Sequence, residues 1–162
     1  PVINALTDLY HPCQVLADCL TLLEHKGKLE GLKLAFVGDG NNMVHSWMEA
    51  AEKIPFSFAL ACPKGYEPNR DIEARVKRNG ADVTVTHSIK DALRGADAVY
   101  TDVWTSMGQE DESDSRRRIF TCRPTTSAEE APCAEQIIKR FALDAEQARD
   151  AVVDRHRIEY SR

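Results

Sequence analysis

Apolar and polar positions alternate along the first hundred residues in blocks of two kinds. Short continuous apolar runs are typical of buried strands, and longer segments with apolar residues three or four positions apart are typical of helices. Strand-like runs lie at 2–6, 32–37, 56–62, 82–86 and 98–101, and helix-like segments at 12–24, 43–53, 70–79 and 88–94. Such alternation predicts parallel βαβ units, hence an α/β fold with a doubly wound, mainly parallel sheet and helices on both faces.

Capping signals support these helices. Gly80 follows the segment 70–79, as expected at a helix C-terminus, and Ser88 is the expected N-cap of the segment that it opens. The pattern changes after Glu110. A charge-dense stretch at 111–118 predicts a solvated loop or helix start, and the Pro-, Thr- and Ala-rich stretch 121–132 is expected to be the least ordered part. A helix is predicted at 134–153.

Composition excludes several classes of function. A net charge of −5 gives no reason to expect nucleic acid or a membrane surface as a partner. No apolar run approaches the length of a membrane span, and we expect no signal peptide. The five cysteines are odd in number and form no CxxC pair, so they are interpreted as reduced thiols of a cytoplasmic protein, not as disulfides or a zinc site.

A histidine-led motif, His11-Pro12-Cys13-Gln14, opens the first predicted helix. Proline is favoured at the first helical position, so His11 falls at the cap, beside the positive end of the helix dipole. Such a terminus suits a phosphate or a polarised carbonyl oxygen, and Gln14 in the first turn can donate to the same ligand. The alternative is an ordinary helix start with a hydrogen-bonded histidine.

A glycine turn, Gly38-Asp39-Gly40-Asn41-Asn42, follows the second predicted strand. The dinucleotide fingerprint requires a third glycine where this chain has Met43, and no acidic residue ends the next strand to hold a ribose. The paired amides of Asn41 and Asn42 suit a small zwitterion better, because they both donate and accept hydrogen bonds. The alternative is a glycine turn with both asparagines in left-handed conformations.

Asp102 stands where the strand 98–101 ends, and Ser106-Met107-Gly108 follows shortly after it. Ligands of open parallel sheets bind at the carboxyl ends of strands. There the carboxylate can hold an ammonium group while loop N–H groups hold an anion; the alternative is a solvent-facing strand end. We expect His45 and His87 to be surface or helix-face histidines, and the two tryptophans, Trp47 and Trp104, to belong to the core or its cover.

Together these segments resemble the ornithine carbamoyltransferases, within the aspartate/ornithine carbamoyltransferase superfamily. The resemblance covers about residues 1–120 and is carried by 9–14, 16–18, 36–46, 63–68 and 102–110. It implies a Rossmann-like sheet and a cytoplasmic, homotrimeric enzyme of arginine biosynthesis or the urea cycle. Such an enzyme transfers the carbamoyl group of carbamoyl phosphate to the side-chain amine of ornithine, giving citrulline and phosphate, without a cofactor or metal.

Position by position, the resemblance implies catalytic roles for His11, Gln14 and Asp102. His11 and Gln14 would hold the carbonyl end of carbamoyl phosphate, and Asp102 would bind the α-ammonium group of ornithine. Ser106 and Met107 would close over that substrate. The residues that the resemblance assigns to ornithine are Asn41, Asn42, Asp102, Ser106 and Met107.

The resemblance also divides the chain. Residues 1–120 would form the ornithine-binding domain, including a linking helix at 12–24, and 121–162 a divergent C-terminal segment of loop then helix. The family's Ser-Thr-Arg-Thr phosphate loop and His-Cys-Leu-Pro motif do not occur in these 162 residues, so we expect the isolated chain to lack useful activity. The alternatives are a non-catalytic amino-acid-binding module or degenerate remnant, and a carbamoyltransferase for another amine, which Ser106-Met107-Gly108 disfavours.

Overall fold

The computed structural model describes residues 1–101 and 152–153. Within them the strands are β1 (Lys33–Val37), β2 (Ser57–Ala61), β3 (Val83–Thr86), β4 (Ala98–Thr101) and β5 (Val152–Val153). They form one sheet, in the order β3-β2-β1-β4-β5, and every neighbouring pair is parallel. The predicted doubly wound, mainly parallel α/β sheet is therefore confirmed.

Helices connect these strands and begin where the sequence provides caps. Ser88 caps its helix by accepting from the N–H of Asp91, and Asn69 caps the preceding helix by accepting from Asp71 and Ile72. Gly27, at a φ of 73°, ends the first helix in the left-handed conformation that glycine adopts without strain. The helices are α1 (Pro12–Lys26), α2 (Asn42–Lys53), α3 (Arg70–Arg78) and α4 (Ile89–Leu93).

The two faces of the sheet carry different cores. Large side chains of the strands, such as Phe36 and Phe58, point to one face and pack with α1, α2 and α3 around the buried Trp47. Small side chains such as Ala35 and Ala59 point to the other face and pack against α4. Alternation along each strand thus builds a thick layer of helices on one side and lets one short helix approach closely on the other.

Two expectations from the sequence are wrong, and one detail of an alternative interpretation is excluded. Residues 2–6 form no strand: Val2 is fully exposed, and no described strand pairs with this run. Val152 and Val153, assigned to the end of a helix, form β5 beside β4, where two β-branched residues complete a sheet edge. The asparagines of the glycine turn are not left-handed, since Asn41 is extended and Asn42 is helical. The remainder of 102–162, including the division at residue 120, lies outside the described residues.

Candidate functional site

The strand order places a topological switch point between β1 and β4. The chain moves from β1 to β2 and β3 on one side, then returns to add β4 on the other. Val37 and Thr101 end these two strands side by side, and the Thr101 hydroxyl donates to the Val37 carbonyl at 2.9 Å. The loop after Val37 and the end of β4 at Thr101 therefore lie at the position where ligands of this architecture bind.

Asn41, on the loop that leaves β1, is the N-cap of α2. Its side-chain oxygen accepts from the N–H groups of Met43 and Val44, at 3.0 and 3.3 Å. These are the amides that a pyrophosphate would use at the start of such a helix. The cap therefore occupies the donors on which dinucleotide binding depends.

Gly40, in the same loop, is required by a close backbone approach. Its N–H donates to the carbonyl of Tyr66 at 2.7 Å, and a Cβ at this position would overlap the backbone of Glu67 and Pro68. In the dinucleotide fingerprint, the second glycine leaves room for the pyrophosphate. Here the segment 63–68 fills that room, which agrees with the absence of a third glycine at Met43.

Hydrogen bonds from α2 join the His11 motif to this loop. The Asn42 side-chain amide donates to the Thr7 carbonyl at 2.8 Å. The Ser46 hydroxyl accepts from the His11 N–H at 2.8 Å and donates to the Asn42 carbonyl at 3.0 Å. The Ser46 hydroxyl thus links the backbones of His11 and Asn42, which are 31 positions apart in the chain.

His11 is the N-cap residue of α1, as predicted, but its side chain makes no capping bond. Its ring Nδ1 lies 2.8 Å from the carbonyl of Ala5. Because a carbonyl only accepts, Nδ1 carries the hydrogen in this contact. The neutral ring then has an accepting Nε2, and donation from Nε2 to a ligand requires the imidazolium form.

Gln14 lies in the first turn of α1, half-buried, and its amide donates to Asp18 at 2.9 Å. The bond joins positions i and i+4 of one helix face and orients the amide along α1. Gln14 therefore lies one turn from His11, held by a carboxylate. Asp102, Ser106 and Met107 lie outside the described residues, so their assignment stays a prediction.

His45 connects two backbone segments near the candidate site, a role that the sequence did not indicate. It lies on α2, as expected, but it is buried, with 6% of its surface exposed. Nδ1 lies 3.0 Å from the Leu9 carbonyl, and Nε2 accepts from the Asn69 N–H at 3.0 Å. No local sequence signal points to this role, because both partners of the ring are backbone atoms.

Burial lowers the pKa of His45 below its usual 6.5, against opposing effects of the Leu9 carbonyl and of Glu49. Arg75, which pairs with Glu49, and Tyr10 are the other titratable groups nearby. As the pH falls, His45 is protonated in the unfolded chain near pH 6.5 and in the folded chain only at a lower pH. The contribution of neutral His45 to the free energy of unfolding is therefore complete above pH 6.5. The contribution falls as the pH drops toward the folded pKa, by at most about 1.4 kcal/mol per pH unit.

We therefore expect the His45→Asn variant to lose this part of the pH dependence. Urea unfolding at pH 7.5, 6.5 and 5.5 measures it as the change in the free energy of unfolding. The matched control is His87→Asn, because the His87 ring also donates to a backbone carbonyl, that of Cys62, but its side chain is 44% exposed. A His45→Asn variant with the wild-type slope would contradict the assignment.

Two of the three thiols in the part of the chain that the structure describes are buried. No group of three or more potential ligands is assembled among residues 1–101 and 152–153. Burial raises the pKa of Cys19 and of Cys62 to about 11, so neither is a thiolate near neutral pH. A search of the same residues finds no helix long and apolar enough to cross a membrane.

A parallel doubly wound sheet with a polar loop at its switch point is typical of α/β domains that bind small molecules. The chain belongs to the aspartate/ornithine carbamoyltransferase family, whose Asp/Orn binding domain matches residues 30–126. It is 55% identical over 121 residues to the ornithine carbamoyltransferase of Geobacter metallireducens, covering 74% of this chain and 40% of that protein. Against the enzyme of Syntrophus aciditrophicus it is 46% identical over 158 residues, covering 95% of this chain and 52% of the relative.

Solved structures of the family share the fold. The ornithine carbamoyltransferase of Pyrococcus furiosus superposes with a TM-score of 0.64 at 42% identity, over 73% of this chain and 40% of that one. The anabolic enzyme of Campylobacter jejuni gives 0.69 at 31% identity, over 88% and 55%. The chain thus spans about half or less of the length of these relatives.

Proposed function

We propose that this chain is the ornithine-binding part of an ornithine carbamoyltransferase, with ornithine and carbamoyl phosphate as its small-molecule partners. The observation that carries the proposal is the polar loop Gly38–Asn42 at the switch point, beside the strand end that precedes Asp102, in a chain of this family. The proposed reaction transfers the carbamoyl group to the ornithine side-chain amine and releases phosphate.

Ornithine fits the switch point by its charges. Its α-ammonium group would pair with Asp102, which follows Thr101 in the chain, and Asn42 would contact the amino-acid end from the first turn of α2. Asn41 stands beside Asn42 as the cap that fixes the loop. Ser106 and Met107 are proposed to close over the bound substrate.

His11 and Gln14 are the proposed contacts to carbamoyl phosphate, at the start of α1. While Nδ1 of His11 donates to Ala5, donation from Nε2 to the carbamoyl oxygen requires a protonated ring. That positive charge would stabilise the oxyanion that develops when the neutral amine attacks the carbonyl carbon. Catalysis is then positioning and charge stabilisation, without a covalent intermediate or a cofactor.

We also propose a cytoplasmic location. Cys13, Cys19 and Cys62, the cysteines among the described residues, are free thiols. Free cysteines persist in reducing compartments, whereas oxidising compartments favour disulfides.

Ligand titration tests the proposed function. In ¹H–¹⁵N NMR spectra of the full chain, ornithine is expected to shift the amides of Asn42, at the start of α2, and of Thr101, at the end of β4, in a saturable way. NAD is expected to leave both unchanged, because Asn41 and the segment 63–68 occupy the pyrophosphate position. Saturable shifts with NAD at lower concentration than with ornithine would overturn the proposal.

A further inference from the structure

We propose that His45 and Ser46, adjacent residues of α2, are positioning residues that fix His11 and the start of α1 at the candidate site. Neither residue is placed against a substrate; both act through the backbone of 9–11. We call the hydrogen bonds made by the side chains of His45 and Ser46 the clamp. The role of His11 rests on the proposed function, whereas the clamp is a property of the folded chain. The inference follows from four hydrogen bonds and from the burial of both side chains.

The first half of the clamp is the His45 imidazole, which joins two separate segments. Nδ1 faces the Leu9 carbonyl, which only accepts, and Nε2 faces the Asn69 N–H, which only donates. These partners are satisfied together only by a neutral ring with its hydrogen on Nδ1. One ring thus holds the backbone just before His11 and the N-cap of α3.

The second half is the Ser46 hydroxyl, which bridges the two motifs directly. Its oxygen accepts from the His11 N–H and its hydrogen goes to the Asn42 carbonyl. A hydroxyl can do both at once. The backbone of His11 is therefore held to the first turn of the helix that carries Asn42.

Burial gives these bonds their effect. His45 and Ser46 are the two buried polar residues among the described ones, with 6% and 5% of their surface exposed. The ring of Tyr10 packs edge-on against His45, with centroids 6.3 Å apart. Water does not replace a bond at such a position, so a lost partner leaves a buried donor or acceptor unsatisfied.

The segment that is held depends on this clamp because it has little apolar anchorage of its own. Val2 and Ile3 are 100% and 81% exposed, and residues 1–9 all lie at the surface. The end of this segment is also held by the bond from Asn42 to Thr7 and by Tyr10, which packs against the core and interacts with Glu49 of α2. Without the bonds of His45 and Ser46, these contacts remain, but the Leu9 carbonyl and the His11 N–H lose their partners on α2.

The test combines four variants of the full chain. His45→Ala removes both ring bonds, and Ser46→Ala removes the bridge. His45→Asn keeps a donor at the place of Nδ1 but has no acceptor at the place of Nε2. His87→Asn is the matched control, because His87 donates to a backbone carbonyl at a distance from α1.

Two measurements need no ligand. Histidine ¹⁵N spectra of the wild type are expected to show His45 as the neutral Nδ1–H tautomer. Hydrogen exchange at the His11 amide should accelerate at least about tenfold in His45→Ala and in Ser46→Ala, with β1 and β2 amides unchanged. His45→Asn should restore protection at His11 but not at the Asn69 amide, a split that general loss of stability would not produce.

A third measurement links the clamp to the site. Millimolar carbamoyl phosphate is expected to shift the His11 ring signals in the wild type, in His45→Asn and in the control, and at least about tenfold more weakly in His45→Ala. The inference is overturned if the wild type shows His45 as the Nε2–H tautomer. It is also overturned if the hydrogen-exchange rate of the His11 amide is unchanged in both His45→Ala and Ser46→Ala. A wild type that responds to neither substrate would instead count against the proposed function, while tautomer and exchange still decide on the clamp.

Discussion

Asp102→Asn is expected to weaken ornithine binding by about ten- to hundredfold. A hydrogen bond assisted by a full charge contributes roughly 1.5–3 kcal/mol, and each 1.4 kcal/mol is a factor of ten in affinity. The lower end applies if solvent reaches the pair, because water screens an exposed ion pair. Calorimetric titration of the full chain with ornithine measures the change directly.

Asp91→Asn is the matched control for this prediction. It makes the same change of charge on α4, where the carboxylate pairs with Arg94 and is largely exposed. This helix follows β3, which is not one of the two strands that meet at the switch point. Its affinity for ornithine should stay within about twofold of the wild type. An Asp102→Asn variant with unchanged affinity would remove Asp102 from the site without affecting the family assignment.

Trp47→Ala is expected to lower the free energy of unfolding by about 3–5 kcal/mol, the usual cost of removing a large buried aromatic side chain. Trp47 is 1% exposed and stacks on Phe58, while Phe56 and Tyr100 meet it edge-on. The residue anchors α2 to the sheet, and α2 carries the Asn41 cap and the clamp. Urea unfolding monitored by circular dichroism measures the loss.

Two further variants serve as comparisons for Trp47→Ala. Trp47→Phe keeps an aromatic ring and removes an indole N–H that is buried with no hydrogen-bond partner among the described residues, so its cost should stay below about 1.5 kcal/mol. Leu16→Ala, on the exposed face of α1, should stay within about 0.5 kcal/mol of the wild type. A loss from Trp47→Ala no larger than that from Leu16→Ala would contradict the packing described for α2.

Most of the elements could be predicted from the sequence because each carries two agreeing signals. The run 98–101 is apolar and short, and α3 combines an amphipathic pattern with Gly80 at its end. The run 2–6 carries only the apolar signal. A strand also requires a neighbour with which to form hydrogen bonds, and no local pattern reveals whether one exists. The same limit concealed β5, whose two valines pair with β4 more than fifty positions away.

The candidate site likewise contains residues that local sequence features indicate and residues that depend on tertiary contacts. Residue types at strand and helix ends led to His11, Asn41 and Asn42, because strand ends and helix caps are local features. The part played by His45 was not predictable, since its partners are backbone atoms of Leu9 and Asn69, and any residue type supplies those atoms. The cap formed by Asn41 is recognisable from sequence, but its consequence for dinucleotides depends also on the segment packed against Gly40.

The central position of β1 has a consequence for the order of folding. Leu34 pairs with Phe58, 24 positions away, but with Ala98 only across 64 positions. Closing the longer loop costs about 0.9 kcal/mol more in chain entropy, and non-local strand pairs form late. The β1–β4 seam should therefore be among the last pairings made and the first lost. A ligand that contacts both β1 and β4 would lower the unfolding rate in proportion to the fraction of chains that hold the ligand. Ligand binding and the lifetime of the folded state are therefore coupled through this one pair of strands.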